Sequence, residues 1–314
     1  MSGLSARDIG HRVVVRYRLT DDPDGHSFTD VIGVLQSLGA DSLVVRHADS
    51  TLHRVRLPDV TAAKPIPPVP LRRVDLDQLF LTTALGRPAV ETRYVGEWLL
   101  RASSGWTGRA NSVLPAGDPG MGITEALKTV EAFYQERDLP PLALIRLESP
   151  IAEEFRRHGW TDARPEQADV LVLHTSLDLV NAEPAYEVRI SEHPDDAWYA
   201  AAFDGEPPAP ARLVMEGAPR VAFAAVHLDG RVVAVSRGSM TGHWVGVDNV
   251  RVDAAYRRRG LATALLQGLT RWSGGLGGRR TYLEVVEDNV PALTSYRNLG
   301  YTTAYKYRYL TVSR

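Results

Sequence analysis

A basic, glycine-containing turn from Arg257 to Ala262 has the residue types and spacing of an anion-binding site. Val250 and Val252 indicate a strand before it, and apolar residues at helical spacing predict a helix after it. The first backbone N–H groups of a helix have no intrahelical partner and carry partial positive charge. Gly260 leaves the main chain open to a pyrophosphate, and the arginines add charge. A strand–helix connection with solvated arginines is the alternative.

This turn resembles the pyrophosphate-binding motif Arg/Gln-x-x-Gly-x-Gly/Ala of the GNAT superfamily, whose members are acetyl-CoA-dependent N-acyltransferases. The chain has it as Arg257-x-x-Gly260-x-Ala262, a short way past a strand. The segment from Asn289 to Tyr301 resembles the second GNAT pattern, Asn-x-x-Ala-x-x-x-Tyr-x-x-x-Gly-Phe/Tyr. Asn289 is also typical of a plain helix N-cap. Both motifs occur in family order, so the C-terminal part of the chain resembles a GNAT domain.

The resemblance implies an α/β (α+β) fold over residues 186–314, with a mixed central sheet whose two middle strands run parallel and splay apart. These are the strand that ends at Val250–Val252 and the strand Leu283–Val286. Acetyl-CoA is the implied acyl donor, and main-chain groups at the splay would bond its pantetheine arm and thioester carbonyl. The implied cofactor-binding residues are Val250, Arg251, Val252, Arg257, Arg258, Arg259, Gly260, Leu261, Ala262, Thr263, Asn289, Ala292 and Tyr296.

Direct attack of a neutral amine on a thioester needs a base for the ammonium and an acid for the departing thiolate. The resemblance makes Tyr296 the acid, and a phenol with a pKa of about 10 suits a thiolate. Asp248 is the first candidate for the base, because it alternates with Val250 and Val252 and shares their face unless a bulge intervenes. Glu284 is the second candidate. A core tyrosine and two strand-end acids are the alternative for these three side chains.

The composition is that of an ordinary globular protein, and it excludes several kinds of site. The chain has 314 residues, 44% of them hydrophobic and 24% charged, with a net charge of −2 and no cysteine. Disulfides, thiolate zinc sites and cysteine nucleophiles are therefore excluded, and we expect no metal. The near-neutral charge argues against a nucleic-acid or anionic-membrane partner. We see no signal core and no run of ~18 apolar residues, so we expect a cytoplasmic protein.

Short β-branched runs near the N-terminus predict a small antiparallel barrel, SH3-like, over residues 1–64. The runs are 11–15, 30–35, 42–45 and 52–57, with turn-forming residues between them. We expect this domain to serve as a packing or protein-contact module. The proline-dense stretch 65–71 predicts a semi-rigid linker.

The middle of the chain, residues 72–185, carries a faded copy of the C-terminal pattern. Phe155 begins a run with the spacing of the run that begins at Tyr296, and a glycine turn lies upstream of each. The chemistry is absent from this copy: Phe155 lacks the hydroxyl, Glu148 stands where the motif asparagine does, and Asp118 in the turn would repel a pyrophosphate. We therefore predict a degenerate GNAT-like domain that forms one wall of the acceptor cleft. Its predicted helices are 74–80, 123–137 and 151–158, and its predicted strands are 97–101, 110–114, 142–145 and 170–173.

In the C-terminal domain, Asp229-Gly230 between two apolar runs predicts a hairpin. Leu261 begins the helix that follows the basic turn. The other predicted elements are strands at 186–190, 221–226, 232–235, 244–252 and 282–286, helices at 194–203, 209–215 and 289–299, and one or two strands within 301–312.

The leading hypothesis is a cytoplasmic N-acetyltransferase that transfers an acetyl group from acetyl-CoA to a primary amine. A second hypothesis is a GNAT-like protein that binds acyl-CoA as a sensor or scaffold, with the N-terminal barrel recruiting a protein partner. A third is a tandem small-molecule acetyltransferase that resembles mycothiol synthase. An intact turn and Tyr296 favour the first hypothesis. No motif specifies the acceptor.

Overall fold

The computed structural model describes residues 3–19, 27–47, 51–66, 71–180, 182–203 and 206–312. The chain divides into two compact units. One consists of Met1–Pro70 with Asn298–Gly300, and the other of Leu71–Arg297 with Tyr301–Arg314. No helix of the described ranges combines the length and apolar character that crossing a membrane requires.

The N-terminal unit is a five-stranded antiparallel sheet in the order β4-β3-β2-β1-β5. Its strands are β1 (Arg12–Arg18), β2 (Phe28–Leu38), β3 (Ser42–Arg46), β4 (Leu52–Arg56) and β5 (Val60–Pro65). Alternate residues point inward and form one core, as a half-buried strand requires. The core residues are Leu4, Val13, Val15, Val31, Leu35, Leu43, Val45 and Val55.

Four of these strands match the predicted runs, and the fifth was missed. The segment from Val60 to Pro65 has few large apolar residues, so its sequence does not show the period of a strand. It pairs with β1 over five positions, from Val13↔Pro65 to Tyr17↔Val60. The predicted linker therefore begins inside a strand, and its residues 67–70 lie outside the described ranges.

The second unit contains eight α-helices and eleven strands among its described residues. The helices are α1 (Arg73–Gly86), α2 (Ile123–Gln135), α3 (Pro150–Arg157), α4 (Leu177–Val180), α5 (Asp196–Ala202), α6 (Ala209–Glu216), α7 (Leu261–Gly275) and α8 (Val290–Asn298). The strands are β6 (Glu91–Val95), β7 (Trp98–Ala102), β8 (Ala143–Arg146), β9 (Thr161–Asp162), β10 (Val170–Ser176), β11 (Arg189–Ser191), β12 (Val221–Leu228), β13 (Arg231–Thr241), β14 (Trp244–Val252), β15 (Arg280–Val286) and β16 (Thr302–Thr311).

Nine strands form one mixed sheet in the order β11-β12-β13-β14-β15-β10-β16-β8, with β9 beside β16. Strand β10 comes from the middle of the chain, yet it lies between β15 and β16 and pairs antiparallel with both. Strand β16 is the last of the chain, yet it pairs with β8 and β9 of the middle segment. Each copy of the repeat thus donates its final strand to the sheet of the other copy.

Strands β14 and β15 are parallel, as the sequence predicted, and they separate after a short paired segment. The pairs run from Trp244↔Arg280 to Val247↔Leu283. We call the point beyond the last pair the fork. Helix α7 packs on one face of this sheet, where Gly238 makes room for Leu269. Helices α1 and α5 pack against β13 and β14.

The middle segment keeps the outline of the same arrangement in reduced form. Strand β7 and Leu114 form an isolated antiparallel bridge, and Val113 and Ala143 form an isolated parallel bridge. The second bridge is parallel, as is the pairing of β14 with β15 in the C-terminal copy. Helices α2 and α3 follow in the positions that α7 and α8 occupy in the later copy. The predicted strand 110–114 is reduced to these two bridges.

His174 lies in β10, and its pKa reports how deeply this strand is buried in the sheet. Burial, with a smaller contribution from Arg280, lowers the pKa of His174 to about 4. An unfolded histidine titrates near 6.5, so the unfolded state takes up a proton first as the pH falls. We expect the free energy of unfolding to drop by about 3 kcal/mol between pH 6.5 and pH 4 through this group.

Urea unfolding across this pH range measures the effect. His174→Gln is expected to remove that part of the pH dependence, and the exposed His193→Gln is the control. An equal slope in wild type and His174→Gln would contradict a buried, neutral His174.

Candidate active site

The fork exposes the end of β14 in the way that the predicted splay requires. Residues beyond Val247 remain beside β13, through Val235↔Arg251 and Ala234↔Val252, and no longer pair with β15. Strand β15 therefore leaves that side of the β14 main chain open. The three residues predicted to bond the pantetheine arm, Val250, Arg251 and Val252, lie on this segment.

A β-bulge at the fork changes which side chains share a face. Asp248 pairs with Arg237, while Arg251 pairs with Val235, so two residues of β14 oppose one residue of β13. Asn249 has a φ of 52°, as the extra residue of a bulge often does. Asp248 therefore shares a face with Arg251, and the expectation that it shares one with Val252 is wrong.

Both carboxylates predicted at the fork are bridged by one arginine. Arg87 places Nη2 at 3.1 Å from an oxygen of Asp248 and Nη1 at 3.1 Å from an oxygen of Glu284. These acids are the first residues of β14 and β15 beyond the last pair. Asp248 and Glu284 thus lie on either side of the residue that follows α1.

The position of Arg87 follows from how α1 ends. Gly86 is the last residue of the helix, and a Cβ there would lie 2.4 Å from the hydroxyl of Tyr282. Its carbonyl accepts a hydrogen bond of 2.9 Å from Arg237, which is fully buried. The same guanidinium donates to Asp248 at 2.7 Å. Close packing at Gly86 therefore sets the next residue, Arg87, between the two acids.

A second arginine reaches the fork from the middle segment. Arg109 lies 2.6 Å from Glu284 and donates a hydrogen bond of 2.8 Å to the hydroxyl of Tyr307. Burial alone would lower the pKa of Arg109, but Glu284 and Tyr307 outweigh it and raise that pKa well above its usual value. The middle copy thus contributes charged groups directly to the fork.

The same charges decide the ionisation of Asp248. Burial would raise the pKa of Asp248, but attraction to Arg87 and Arg237 outweighs it and holds that pKa below its usual value. One of its oxygens, Oδ1, is buried and accepts no hydrogen bond from the part of the chain that the structure describes. Asp248 is therefore an anion with one oxygen free to accept a donor.

The basic turn presents an open helix N-terminus to solvent. Gly260 is the N-cap residue of α7, with a φ of 83°, and a Cβ there would meet no atom within 4 Å. Arg257, Arg258 and Arg259 before it are exposed, while Leu261 behind it is buried. The amides of Leu261, Ala262 and Thr263 begin the helix, so they have no intrahelical partner. This turn has the space, charge and N–H donors that a pyrophosphate requires.

Helix α8 holds the second predicted motif. The side chain of Asn289 accepts a hydrogen bond of 3.3 Å from the amide of Ala292, which is the capping geometry considered as its alternative role. Tyr296 is partly buried and packs 5.9 Å from Tyr301, centroid to centroid. Its hydroxyl makes no hydrogen bond within the described ranges, and burial raises the pKa of Tyr296. The phenol therefore stays protonated at neutral pH.

In the middle copy, the carboxylate of Glu97 occupies the corresponding glycine turn. The amide of Asp118 donates a hydrogen bond of 2.6 Å to Glu97, and a Cβ on Gly117 would lie 2.2 Å from the same oxygen. Helix α2 also carries an acid, Glu125, in its first turn. These acids disfavour a pyrophosphate in the middle copy.

Three arginines of the fork were not predicted as site residues. Arg237 does carry a signal, since it is a lone charge at the end of an apolar strand run. Arg109 lies in the polar loop 105–112, whose sequence suggests a ligand contact or an ordinary loop equally. Arg87 follows a helix in an unremarkable context, and only the fold brings it to the fork.

Comparisons with known proteins agree with this architecture. The family profile described as "Probable histone acetyltransferase Rv0428c C-terminal" matches residues 75–310, and the profile "Rv0428c N-terminal Sm-like domain" matches residues 7–64. A Mycobacterium tuberculosis protein described as "Probable histone acetyltransferase Rv0428c" is 31% identical over 316 aligned positions, which cover 96% of this chain and 95% of the relative. The N-terminal unit is thus Sm-like, which agrees only loosely with the predicted SH3-like barrel.

Solved structures share the fold. A GCN5-related N-acetyltransferase from Kribbella flavida superposes with a TM-score of 0.56 at 17% identity, covering 76% of this chain and 96% of that one. A tandem GNAT protein from the clavulanic acid biosynthesis pathway has a TM-score of 0.53 at 13% identity, covering 78% of this chain and 89% of that one. Sequence profile, relative and fold agree: the chain belongs to the Rv0428c family, in which an Sm-like domain precedes a GNAT acetyltransferase region.

Proposed function

We propose that this acetyltransferase moves an acetyl group from acetyl-CoA to a primary amine by direct attack. The observation that carries the proposal is the open fork between β14 and β15. Beyond the fork, the chain of β14 continues into the exposed, basic N-terminus of α7. Bound acetyl-CoA would supply an acetyl thioester as the electrophile. Arg257 to Thr263 would hold its pyrophosphate, and the main chain of residues 250–252, which β15 leaves open, would hold its pantetheine arm and polarise its carbonyl.

The two acids at the fork, Asp248 and Glu284, are the groups that would bind the acceptor amine and take its proton. A primary amine is protonated at neutral pH and must lose a proton before it attacks. The buried Oδ1 of Asp248 accepts no hydrogen bond within the described ranges, so it is the acceptor atom that an incoming ammonium would have to reach. Asp248 remains the first candidate for the base and Glu284 the second. Because Arg87 and Arg237 hold the pKa of Asp248 below its usual value, Asp248 is a weak base, and the proton must pass on to water.

Tyr296 would complete the transfer. The amine nitrogen forms a bond to the acetyl carbon, the carbon–sulfur bond breaks, and the departing thiolate takes a proton from the phenol. Burial raises the pKa of Tyr296 above that of an ordinary phenol, so the acid form is present throughout the physiological range.

Protein lysines are a second class of acceptor, because the mycobacterial relative is described as a probable histone acetyltransferase. A lysine side chain is a primary amine and would enter by the same route. The two classes differ in charge: a histone tail is strongly basic, whereas a small-molecule amine need not be.

Substitution of Tyr296 tests the proposed chemistry. Tyr296→Phe should lower kcat by about 100-fold, because positioned acids contribute roughly 10²–10⁴ to such reactions. The affinity for acetyl-CoA should be nearly unchanged, since the ring remains. Thiol release from acetyl-CoA across a panel of amines measures kcat, and calorimetry measures affinity. The exposed Tyr94→Phe is the matched control.

Two outcomes would change the proposal. An unchanged kcat in Tyr296→Phe would remove Tyr296 from the role of the acid. Tight acetyl-CoA binding by the wild type, with no amine in the panel acetylated, would favour the sensor or scaffold hypothesis instead.

A further inference from the structure

A cavity of about 280 Å³ lies beside the fork, between the loop at residues 105–109 and strands β10, β15 and β16. Val286, two residues beyond Glu284 on β15, forms part of its wall. Arg109 lines the cavity and also contacts Glu284 at 2.6 Å. A molecule in this cavity that contacts Arg109 is therefore one side chain away from the fork.

The charges around the fork do not balance. We define the fork cluster as four arginines and two acids: Arg87, Arg101, Arg109, Arg237, Asp248 and Glu284. Arg101 is 2% exposed, donates its hydrogen bonds to Ser112, and has no carboxylate partner within the described ranges. Tyr307 and Tyr309 beside it have raised pKa values from burial, so they remain neutral. Arginine stays protonated in proteins, so the cluster carries a formal excess of two positive charges.

The cavity wall adds donors that lack partners. Arg164 is exposed to solvent, lies over the ring of Tyr309 at 5.0 Å and makes no ion pair within the ranges that the structure describes. The hydroxyl of Thr107 is buried there and likewise has no hydrogen-bond partner. Arg308, which also lines the cavity, is already paired with Asp162 and Asp169 and does not count toward the excess.

Unbalanced buried cations and a buried, unpaired hydroxyl are costly unless an anion completes them. We propose that the amine acceptor also carries an anionic group of the carboxylate class, which binds between Arg109 and Arg164 with the Thr107 hydroxyl as a third donor. This inference rests on the proposed acetyl transfer and names its substrate class. Anchored on Arg109, the acceptor extends its amine toward Asp248 and Glu284 at the fork.

The cavity would disfavour a lysine-rich tail for the same reason. Among the described residues that line it, Arg109 and Arg308 are paired with acids from outside the cavity wall, whereas Arg164 has no acidic partner. A cationic peptide would be repelled where an amino acid or an amino-acid conjugate would be attracted. Arg109 and Arg164 are thus the specificity-determining residues for the acceptor.

Product analogues test this inference without requiring turnover. The probes are N-acetylglycine, N-acetyl-β-alanine, N-acetyl-4-aminobutyrate and N-acetyl-6-aminohexanoate, each beside its carboxamide. They are titrated by calorimetry into the full chain, with and without CoA. For the analogue of matching length, we expect the acid to bind about tenfold or more tightly than its amide, as for a hydrogen bond to a charged group.

Arg164→Gln should remove the difference between acid and amide while leaving the affinity of the amide nearly unchanged. Arg156→Gln, an exposed arginine on α3, is the control. Acids that bind no better than amides at every length, a preference that survives in Arg164→Gln, or tighter binding of a lysine-rich peptide would each overturn the inference. Affinity for CoA is measured separately, so a protein that binds acids but not CoA would refute the proposed function alone.

Discussion

Replacement of Asp248 by asparagine is expected to lower the free energy of unfolding by about 3 kcal/mol at neutral pH. Arg237 is fully buried, and Asp248 is its carboxylate partner. Asparagine can accept one hydrogen bond from Arg237 but carries no charge. The fork cluster would then hold four arginines and a single acid. Removing the acid from a buried pair leaves an uncompensated charge, which is why the loss is large.

Replacing Arg87 instead of Asp248 should lower the free energy of unfolding by less. In Arg87→Met, Asp248 keeps Arg237 and Glu284 keeps Arg109, while the excess of positive charge falls. The double variant Asp248→Asn/Arg87→Met should therefore be more stable than the sum of the single losses predicts. Urea unfolding of the four proteins completes this cycle.

The effect of Asp248→Asn on the free energy of unfolding should depend on pH in a definite direction. Because the pKa of Asp248 in the native protein lies below 3.8, its contribution to stability is complete above that value and is lost as the pH falls through the native pKa. The gap between wild type and Asp248→Asn should stay constant from about pH 7 to pH 5 and narrow below about pH 4. Unchanged stability with a large loss of kcat would instead make Asp248 purely catalytic.

Local patterns in the sequence were sufficient to predict the strand and the helix on either side of the basic turn. Strand β14 was predicted at 244–252 and is found at those residues. The N-cap glycine at Gly260 and the apolar stripe of α7 depend only on neighbours along the chain, so they follow from spacing. The parallel pairing of β14 with β15 followed from the family resemblance and is confirmed.

The fork cluster depends on pairings between distant parts of the chain. Strand β10 reads as an ordinary buried strand, and nothing in its composition indicates that it lies between β15 and β16. Arg87 and Arg109 are about 160 to 200 positions from the acids that they contact. Hydrophobic periodicity reports burial and does not report partners, so the fork cluster could not be predicted from it.

The bulge in β14 marks a third limit of periodicity. Strict alternation placed Asp248 on the face of Val252, and one extra residue near Asn249 reversed that relation. Asparagine is tolerated at positive φ, but it occurs at many other positions too, so it does not signal a bulge by itself. The result at the fork is that Asp248 faces the arginines.

Charge reversal at the pyrophosphate turn should have the largest effect on ligand binding. Arg258→Glu with Gly260→Asp replaces one exposed cation by an acid and adds a second acid at the N-cap of α7. Two unit charges about 4 Å apart near a protein surface interact by on the order of 4 kcal/mol. We therefore expect affinity for acetyl-CoA to fall on the order of 1000-fold. Calorimetry with acetyl-CoA measures the loss.

The substitution at Gly260 needs a control for backbone strain, because its φ of 83° disfavours side chains. Gly159 in the middle copy has a φ of 84°, and a Cβ there, as at Gly260, would meet no atom within 4 Å. Gly159→Asp thus imposes the same strain and charge at the degenerate copy, and it should leave acetyl-CoA affinity unchanged. Gly260→Asn keeps the strain and adds no charge, so it should weaken binding far less than the acidic variant. Equal losses in Gly159→Asp and in the turn variant would mean that strain alone explains the effect. A loss confined to the turn would assign the pyrophosphate to the N-terminus of α7.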